Sequence, residues 1–234
     1  STTGGVSGTT LAVDQANPVL SEVTPVPTPD NDNTPSYTFT TNETGTLTTS
    51  ITEGFTGGAS VNITSAGNNT VTFATLGDGS YAGKTLTLTD AAGNATNLSI
   101  STFVVDTASP GAFTTGAVVT SGGTVVANYL NSTNDNIVVT VPIANDSSLT
   151  GGSIQLQISI DGGAYANIGD PATIDGSNLD GTQNVTITDD NVEALGTYAE
   201  GVALTFKAVL TDTSGNSTTG GVSGTTLAVD QANP

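Results

Sequence analysis

Apolar residues in this chain alternate with Thr, Ser and Asn over short segments, as in the TLTLT run of residues 85–89. Pro, Gly, Asn and Asp separate the segments. Alternation with a period of two predicts β-strands with one buried face. The first half has predicted strands at 19–24, 36–41, 45–52, 59–64, 70–75, 81–89 and 97–105. The second half has them at 112–120, 123–128, 137–143, 153–160, 164–168, 183–188, 202–211 and 224–229. So many short strands predict an all-β fold of antiparallel β-sandwiches.

Three local patterns refine this prediction. The run from Ser159 to Tyr165 contains an Asp-Gly step and predicts a β-hairpin. The segment 189–195 begins with two Asp residues and predicts one helical turn, because acidic residues suit a helix N-terminus. The sequence LGDGSY at 76–81 predicts a tyrosine corner, in which the Tyr81 hydroxyl bonds to the backbone a few residues upstream.

An exact repeat joins the two ends of the sequence. Residues 1–18, STTGGVSGTTLAVDQANP, recur unchanged as residues 217–234. Repetition on the scale of a domain indicates a tandem array of modules, each contacting mainly its neighbours.

A looser repeat lies inside this period. The segment FVVDTASP (103–110) matches LAVDQANP (227–234) in pattern, and LTLTDAAGN (86–94) matches AVLTDTSGN (208–216). In each half of the chain, a strand and a TD-x-x-GN turn precede a last strand that ends in Val-Asp. We therefore divide the chain into three parts: the last strand of a preceding repeat (1–17), a first domain (18–109) and a larger second domain with extra strands (110–234).

The TD-x-x-GN turn, the Val-Asp strand end and the Pro that follows resemble bacterial immunoglobulin-like tandem repeats of large surface adhesins. The resemblance is strongest through 76–110 and 195–234. It implies two immunoglobulin-like sandwiches arranged end to end. It also implies a spacer role in which the repeats carry a terminal binding domain away from the cell, stiffened by Ca²⁺ at the junctions.

The composition narrows the possible functions. The chain has no His, Cys or Arg, and 21 acidic residues against two lysines give a net charge of −19. His-based and Cys-based catalysis and thiolate metal sites are excluded, and a nucleic-acid surface needs basic residues that the chain lacks. No apolar run reaches the length of a membrane span. We find no nucleophile–base pair, so we expect a protein that is not an enzyme.

Strand direction predicts where the acidic residues meet. In a seven-strand sandwich, the A–B and E–F loops and the end of strand G lie at one pole, and the B–C and F–G loops lie at the other. This argument predicts that Asp14 meets the next domain's F–G loop at Asp90 and Asn94, and that the end of domain one faces the F–G loop of domain two. The full set of predicted metal ligands is Asp14, Asp30, Asp32, Asp78, Asp90, Asn94, Asp106, Asp135, Asp212, Asn216 and Asp230.

Several carboxylates at one junction repel each other unless a cation joins them. Oxygen ligands without His or Cys select hard cations, and flexible loops with many oxygens favour Ca²⁺. We therefore predict interdomain Ca²⁺. The alternative is that each Asp or Asn is a turn former that bonds its own backbone.

The expected function is a structural spacer of a giant bacterial surface or secreted adhesin, located outside the cell. Its expected partners are neighbouring repeats or copies of itself. The first alternative is a self-assembling filament, sheath or surface-layer subunit, in which residues 1–17 complete a sandwich in another chain by strand addition. A glycan-binding module is a weaker alternative, because 5% of the residues are aromatic and most of these are expected in the core. The ligand of the terminal domain is unknown.

Overall fold

A computed structural model describes residues 13–232. The chain divides into two compact units, Ser1–Asp106 (unit 1) and Thr107–Pro234 (unit 2). Within the described residues the structure is nearly all β, with one short α-helix. None of the helices in this part of the chain is long and apolar enough to cross a membrane.

The described residues of unit 1 form nine strands in antiparallel sheets. They are β1 (Leu20–Thr24), β2 (Ser36–Thr41), β3 (Gly45–Thr49), β4 (Ser60–Ile63), β5 (Gly67–Thr72), β6 (Gly79–Tyr81), β7 (Thr85–Thr89), β8 (Ala95–Ser99) and β9 (Phe103–Val105). One sheet has the order β1-β2-β5 and a second has the order β4-β3-β7-β8, while β6 pairs with β9.

The core of unit 1 is formed by alternate residues from both larger sheets. Phe39 on β2 and Leu47 on β3 are fully buried, as are Leu86 and Leu88 on β7. Aromatic rings fill the remaining space, and the Phe73 ring stacks on the Phe103 ring at a centroid distance of 6.2 Å. The alternation read from the sequence therefore becomes a β-sandwich with one apolar core.

The last two strands predicted for unit 1 are each divided in two. The predicted strand 81–89 is broken at a turn where Gly83 has φ +65°, and 97–105 is broken between β8 and β9. At the second break, the backbone N–H and the hydroxyl of Ser101 donate to the Glu22 carboxylate at 2.9 and 2.6 Å. The Ser101 N–H is therefore used by a side chain rather than by a neighbouring strand, and the ladder is interrupted there.

Residues 107–232 of unit 2 form nine more strands and the helix. They are β10 (Val118–Ser121), β11 (Tyr129–Asn131), β12 (Asn136–Ile143), β13 (Ser153–Ile160), β14 (Ala166–Thr173), β15 (Gly181–Thr188), α1 (Asp189–Glu193), β16 (Ala203–Thr211), β17 (Ser217–Thr219) and β18 (Leu227–Asp230), with short 3-10 helices at Ser147–Leu149 and Gly176–Asn178. One sheet is β10-β12-β15, and the other is β11-β18-β16-β13-β14, with β17 also paired to β16.

The two units share a plan. The order β1-β2-β5 corresponds to β10-β12-β15, and β4-β3-β7 corresponds to β14-β13-β16. In both units, the segment that follows the first strand also makes a parallel contact with the last strand. In unit 1 this contact is a single bridge between Asp30 and Val105, and in unit 2 it is the β11–β18 ladder. The loose internal repeat of the sequence is thus matched by equivalent strand pairings.

The local predictions have mixed outcomes. The tyrosine corner is confirmed, because the Tyr81 hydroxyl donates to the Gly77 carbonyl at 2.9 Å. The hairpin is confirmed by positive φ values at Asp161 and Gly162, and the helical turn by α1. The predicted strand at 123–128 is wrong. Val125 and Val126 lie exposed in an irregular loop, and the strand begins at Tyr129.

Candidate metal centre

The TD-x-x-GN turn of unit 1 lies between β7 and β8 and is held by Asp90. The Asp90 N–H donates to the Asn94 carbonyl at 3.0 Å, and the Asn94 N–H donates to Asp90 Oδ1 at 2.8 Å. The Asn94 side-chain amide donates to Asp90 Oδ2 at 2.8 Å. Gly93 closes the turn with φ +95°, a conformation that favours glycine. The turn fixes the Asp90 carboxylate at the end of the sandwich.

A second turn, between β2 and β3, brings Glu43 to the same end of unit 1. The Thr41 hydroxyl, at the end of β2, donates to the Glu43 carbonyl at 3.0 Å. The Asn42 side chain ties this turn to the residue just before β1, because the Val19 N–H donates to Asn42 Oδ1 at 2.6 Å. Glu43 was missing from the residues predicted by the sequence. The predicted strand directions put the B–C loop at this pole, and Glu43 is the one acidic residue of that loop, so the sequence does contain a signal for it.

Asp14 approaches from the segment that precedes β1. Its carboxylate accepts from the Ala16 N–H at 3.1 Å, which is an ordinary Asx turn. Its backbone carbonyl accepts from the side-chain amide of Asn94 at 3.3 Å. The predicted meeting of Asp14 with Asp90 and Asn94 is therefore present in unit 1.

Three carboxylates come together at this point. One oxygen each from Asp14, Glu43 and Asp90 lies within 4.8 Å of the other two, with Asp14 exposed and the others half-buried. Lys84, the lysine of unit 1, precedes the opposite end of β7, six residues from Asp90 and thus roughly 20 Å away along an extended strand. No lysine of unit 1 therefore neutralises the three charges.

Hydrogen bonding keeps one of these acids ionised. The side chain of Asn94, followed by backbone N–H groups of the turn, lowers the pKa of Asp90 against an opposing effect of desolvation. An acid with a lowered pKa presents an anionic oxygen across the neutral pH range. The donor set is therefore three carboxylates plus nearby carbonyl oxygens, which suits a hard divalent cation such as Ca²⁺.

The predicted ligands at the other end of unit 1 lie on, or next to, backbone segments that pair with one another. Asp30 bridges to Val105, and the Asp106 N–H donates to the Asp30 carbonyl at 2.9 Å. Asp78 directly precedes β6, which pairs with β9. Within the described residues of unit 1, however, these acids do not form a second group of three converging carboxylates.

Asp30 and Asp32, two of the predicted ligands at this end of unit 1, act as turn formers. Asp30 Oδ1 accepts from the Asp32 N–H at 3.0 Å, and Asp32 Oδ1 accepts from the N–H and hydroxyl of Thr34 at 2.8 and 2.9 Å. Their use as metal ligands, like that of Asp78 and Asp106, stays a prediction.

In unit 2 the TD-x-x-GN turn repeats the geometry of unit 1. Asp212 Oδ1 accepts from the Asn216 N–H at 2.9 Å, and Oδ2 accepts from the Asn216 side-chain amide at 3.0 Å. Asp135 precedes β12, and its carboxylate packs over Gly122. Asp230 ends β18 opposite Asn131 and is exposed. Their roles as ligands also stay predictions.

Comparison with known proteins gives no family. No family model matches the chain, and no curated protein matches it. Among solved structures, the chain is similar to the dimeric latent PorU from Porphyromonas gingivalis, with 14% identity and a TM-score of 0.26. The match covers 94% of this chain and 21% of that one, so this chain spans about a fifth of the length of PorU. A TM-score this low does not establish a common fold.

Proposed function

We propose that the chain is a segment of a tandem array of immunoglobulin-like modules that serves as a structural spacer in a large bacterial surface or secreted adhesin. It performs no catalysis and works outside the cell. Ca²⁺ binds where the end of one module meets the first turns of the next, and it restricts bending there.

The observation that carries this proposal is the position of Asp14 beside the turns of unit 1 that hold Glu43 and Asp90. Asp14 belongs to the repeated 18-residue segment, whose second copy ends unit 2 as β18 and Asp230. In an array, therefore, an Asp at the end of a module's last strand faces the B–C and F–G turns of the following module. Those turns carry Glu43 and Asp90 in unit 1.

A cation gives this contact a mechanical role. Three anionic side chains from the linker and two turns repel one another when they are alone, so the linker tends to move away. A bound Ca²⁺ takes six to eight oxygen ligands and reverses the sign of the interaction. The linker is then fixed to both turns, so a longer array holds its terminal domain farther from the cell.

Calcium binding to the full chain tests the proposal. Isothermal titration in 150 mM NaCl, which suppresses diffuse binding to a highly acidic protein, should give a dissociation constant of about 10⁻⁴–10⁻³ M, typical of extracellular modules. Asp90→Asn or Glu43→Gln should weaken the site at least tenfold.

Asp175→Asn is the matched control. Asp175 is another turn-forming acid, since its Oδ1 accepts from the Ser177 N–H at 2.9 Å, and its pKa is likewise lowered, but it lies in unit 2 and outside the cluster. It should leave calcium affinity unchanged. Equal loss in all three variants, or no saturable binding in the parent chain, would refute a calcium site at Asp90.

A further inference from the structure

An open apolar groove lies along one edge of unit 2. It has a volume of about 390 Å³ and is lined by β10 and by the loop that leads from β10 to β11. Val119 on β10 and Val125 and Val126 in the loop line this groove, and they are 52%, 56% and 45% exposed. Three large apolar side chains are therefore held together at the surface. We call this surface the β10 groove.

The equivalent part of unit 1 is closed. The segment that follows β1 carries Val26, which is 4% exposed and packs in the core. That segment lies against β9, because the Asp30 N–H donates to the Val104 carbonyl at 3.0 Å. The shared plan of the two units thus allows a valine of this segment to be buried. The exposure of Val125 and Val126 is a property of unit 2 and needs its own explanation.

Hydrogen bonds hold the loop of unit 2 away from the core. The Thr124 N–H donates to the Thr133 hydroxyl at 2.9 Å, and the Thr124 carbonyl accepts from the side-chain amide of Asn131 at 2.8 Å. The side-chain amide of Asn134, a residue that is 2% exposed, donates to the Gly122 carbonyl at 2.9 Å. The loop is therefore fixed by its own contacts, and these contacts keep its valines at the surface.

The strand beside the groove also lacks the usual protection of a sheet edge. Within residues 107–232, β10 is an edge strand that pairs with β12 alone. Charged residues and prolines are common at exposed edges, where they prevent contacts with other chains. In unit 1, the edge strand β1 contains Glu22 and is followed by the sequence PVPTP (25–29). Neither β10 (VVTS) nor the loop at 122–128 (GGTVVAN) contains a charge or a proline.

The β10 groove lies in an uncharged part of a chain whose net charge is −19. No charged residue occurs at 107–134 or at 213–229, and these stretches pack together, since the Thr115 N–H donates to the Gly221 carbonyl at 3.0 Å. A basic partner would bind best where the acidic residues are. A partner that is itself acidic is repelled by those residues and can approach only an uncharged face. The groove therefore fits a second copy of this chain.

We infer that the β10 groove binds the β10 groove of a second copy of this chain. The contact is isologous, so Val119 and Val126 of each copy pack against the same side chains of the other and leave water. Two acids border the groove at one end. Asp135 packs over Gly122, and Asp230 shares a surface depression with Val126. Repulsion between the copies keeps the association weak at low salt. This inference needs neither calcium nor the spacer role.

Sedimentation equilibrium of the full chain in EDTA tests the inference. At concentrations up to about 1 mM, where weak contacts form, it should show a reversible equilibrium between the 23.0 kDa monomer and a dimer. Raising NaCl from about 0.1 M to about 1 M shortens the Debye length from about 10 Å to about 3 Å, so dimerisation should become stronger. A chain that stays monomeric at both salt concentrations, or an association that weakens with salt, overturns the inference.

Val119→Asp should weaken dimerisation by at least about tenfold, because it places like charges in an apolar contact. Val23→Asp is the matched control, since Val23 is 46% exposed on β1, the edge strand of unit 1, and the change adds the same charge. It should leave dimerisation unchanged, and equal losses in the two variants overturn the inference. If Val119→Asp lowers thermal stability, Val126→Asp in the loop decides, and dimerisation at the parent's strength in that variant also overturns it.

A longer chain separates this contact from a contact with a following module. In a chain of two consecutive periods whose second unit 2 carries Val119→Asp, the intact β10 groove is followed by another module. That chain should dimerise as strongly as the single period does. A monomer would show that the following module covers the groove, and this result overturns the inference.

Discussion

Individual acidic residues in this chain have two uses, which the structure separates by their hydrogen bonds. Asp90 and Asp212 each bind the backbone and side-chain amides of the Asn four residues later, and so build a turn. Asp32 binds Thr34 two residues later. Turn formation therefore accounts for these residue types without any metal, and the approach of Asp14 and Glu43 is what distinguishes Asp90.

Glu22 makes a pH-dependent contact in unit 1. It lies on β1 and accepts from the buried Tyr37 hydroxyl at 2.9 Å and from Ser101 at the break between β8 and β9. Burial raises its pKa, but the hydrogen bonds from Ser101 and Tyr37 outweigh this effect and lower the pKa of Glu22 overall. Burial and the Glu22 carboxylate raise the pKa of Tyr37.

We expect Glu22→Gln to destabilise unit 1 by about 1.5 kcal/mol at pH 7, the lower end of the range for a net hydrogen bond to a charged group. Because the folded pKa is below the unfolded value, the contribution is fully present above about pH 4.5 and is lost as pH falls through the folded pKa. The deficit of Glu22→Gln should therefore shrink between pH 5 and pH 3 in urea unfolding. Glu53→Gln, an exposed acid, is the control, and a deficit independent of pH would contradict this account.

At the scale of elements, a glycine lies at the start of the equivalent strand in each unit: Gly45 is the first residue of β3, and Gly152 directly precedes β13. A Cβ on Gly45, at the start of β3, would lie 2.3 Å from the Thr89 carbonyl oxygen, and one on Gly152 would lie 2.2 Å from that of Thr211. Each carbonyl directly precedes the Asp of a TD-x-x-GN turn. The glycines therefore allow the strand and the turn to approach closely.

Gly45→Ala should separate the start of β3 from the end of β7, and these strand ends adjoin the turns that carry Glu43 and Asp90. The expected cost is about 1–3 kcal/mol, the range for overpacking a close contact, and calcium affinity should fall with it. Gly77→Ala is the control, since a Cβ there meets nothing within 4 Å. Thermal unfolding with and without Ca²⁺ measures both effects. Equal stability of the two variants would show that the close approach is easily relieved.

At the scale of the whole molecule, the dominant feature is a charge of −19 with two lysines. One of these, Lys207, lies 4.2 Å from the centroid of the Tyr165 ring. A chain with so few internal cations depends on ions from solution to reduce its self-repulsion. This dependence favours sites where a divalent ion replaces a protein cation.

If Ca²⁺ restricts the linkers as proposed, it should change the small-angle scattering of the chain beyond a simple salt effect. At 150 mM NaCl, calcium should narrow the distribution of maximum dimensions, and EDTA should broaden it. Magnesium at the same concentration should be weaker, because it demands octahedral geometry and dehydrates reluctantly. Identical profiles in calcium and EDTA would remove the mechanical part of the proposal.

The sequence by itself determined most of the strands, because alternation of apolar and polar residues fixes which face is buried over a few residues. It also determined the repeat, the Asp90–Asn94 turn and the Tyr81 corner, which depend on contacts no more than four residues apart. Strand direction was enough to place Asp14 beside Asp90, since that argument needs topology alone.

Only the tertiary structure decided where strands break and which acids converge. The break at Ser101 depends on Glu22, 79 residues away, and the inclusion of Glu43 depends on the distance between two turns. Tertiary structure also decided that identical sequences differ in burial at Val13 and Val229. The physical reason is that the burial of a segment depends on the other segments that pack against it, whereas a local pattern specifies only which of its faces is apolar.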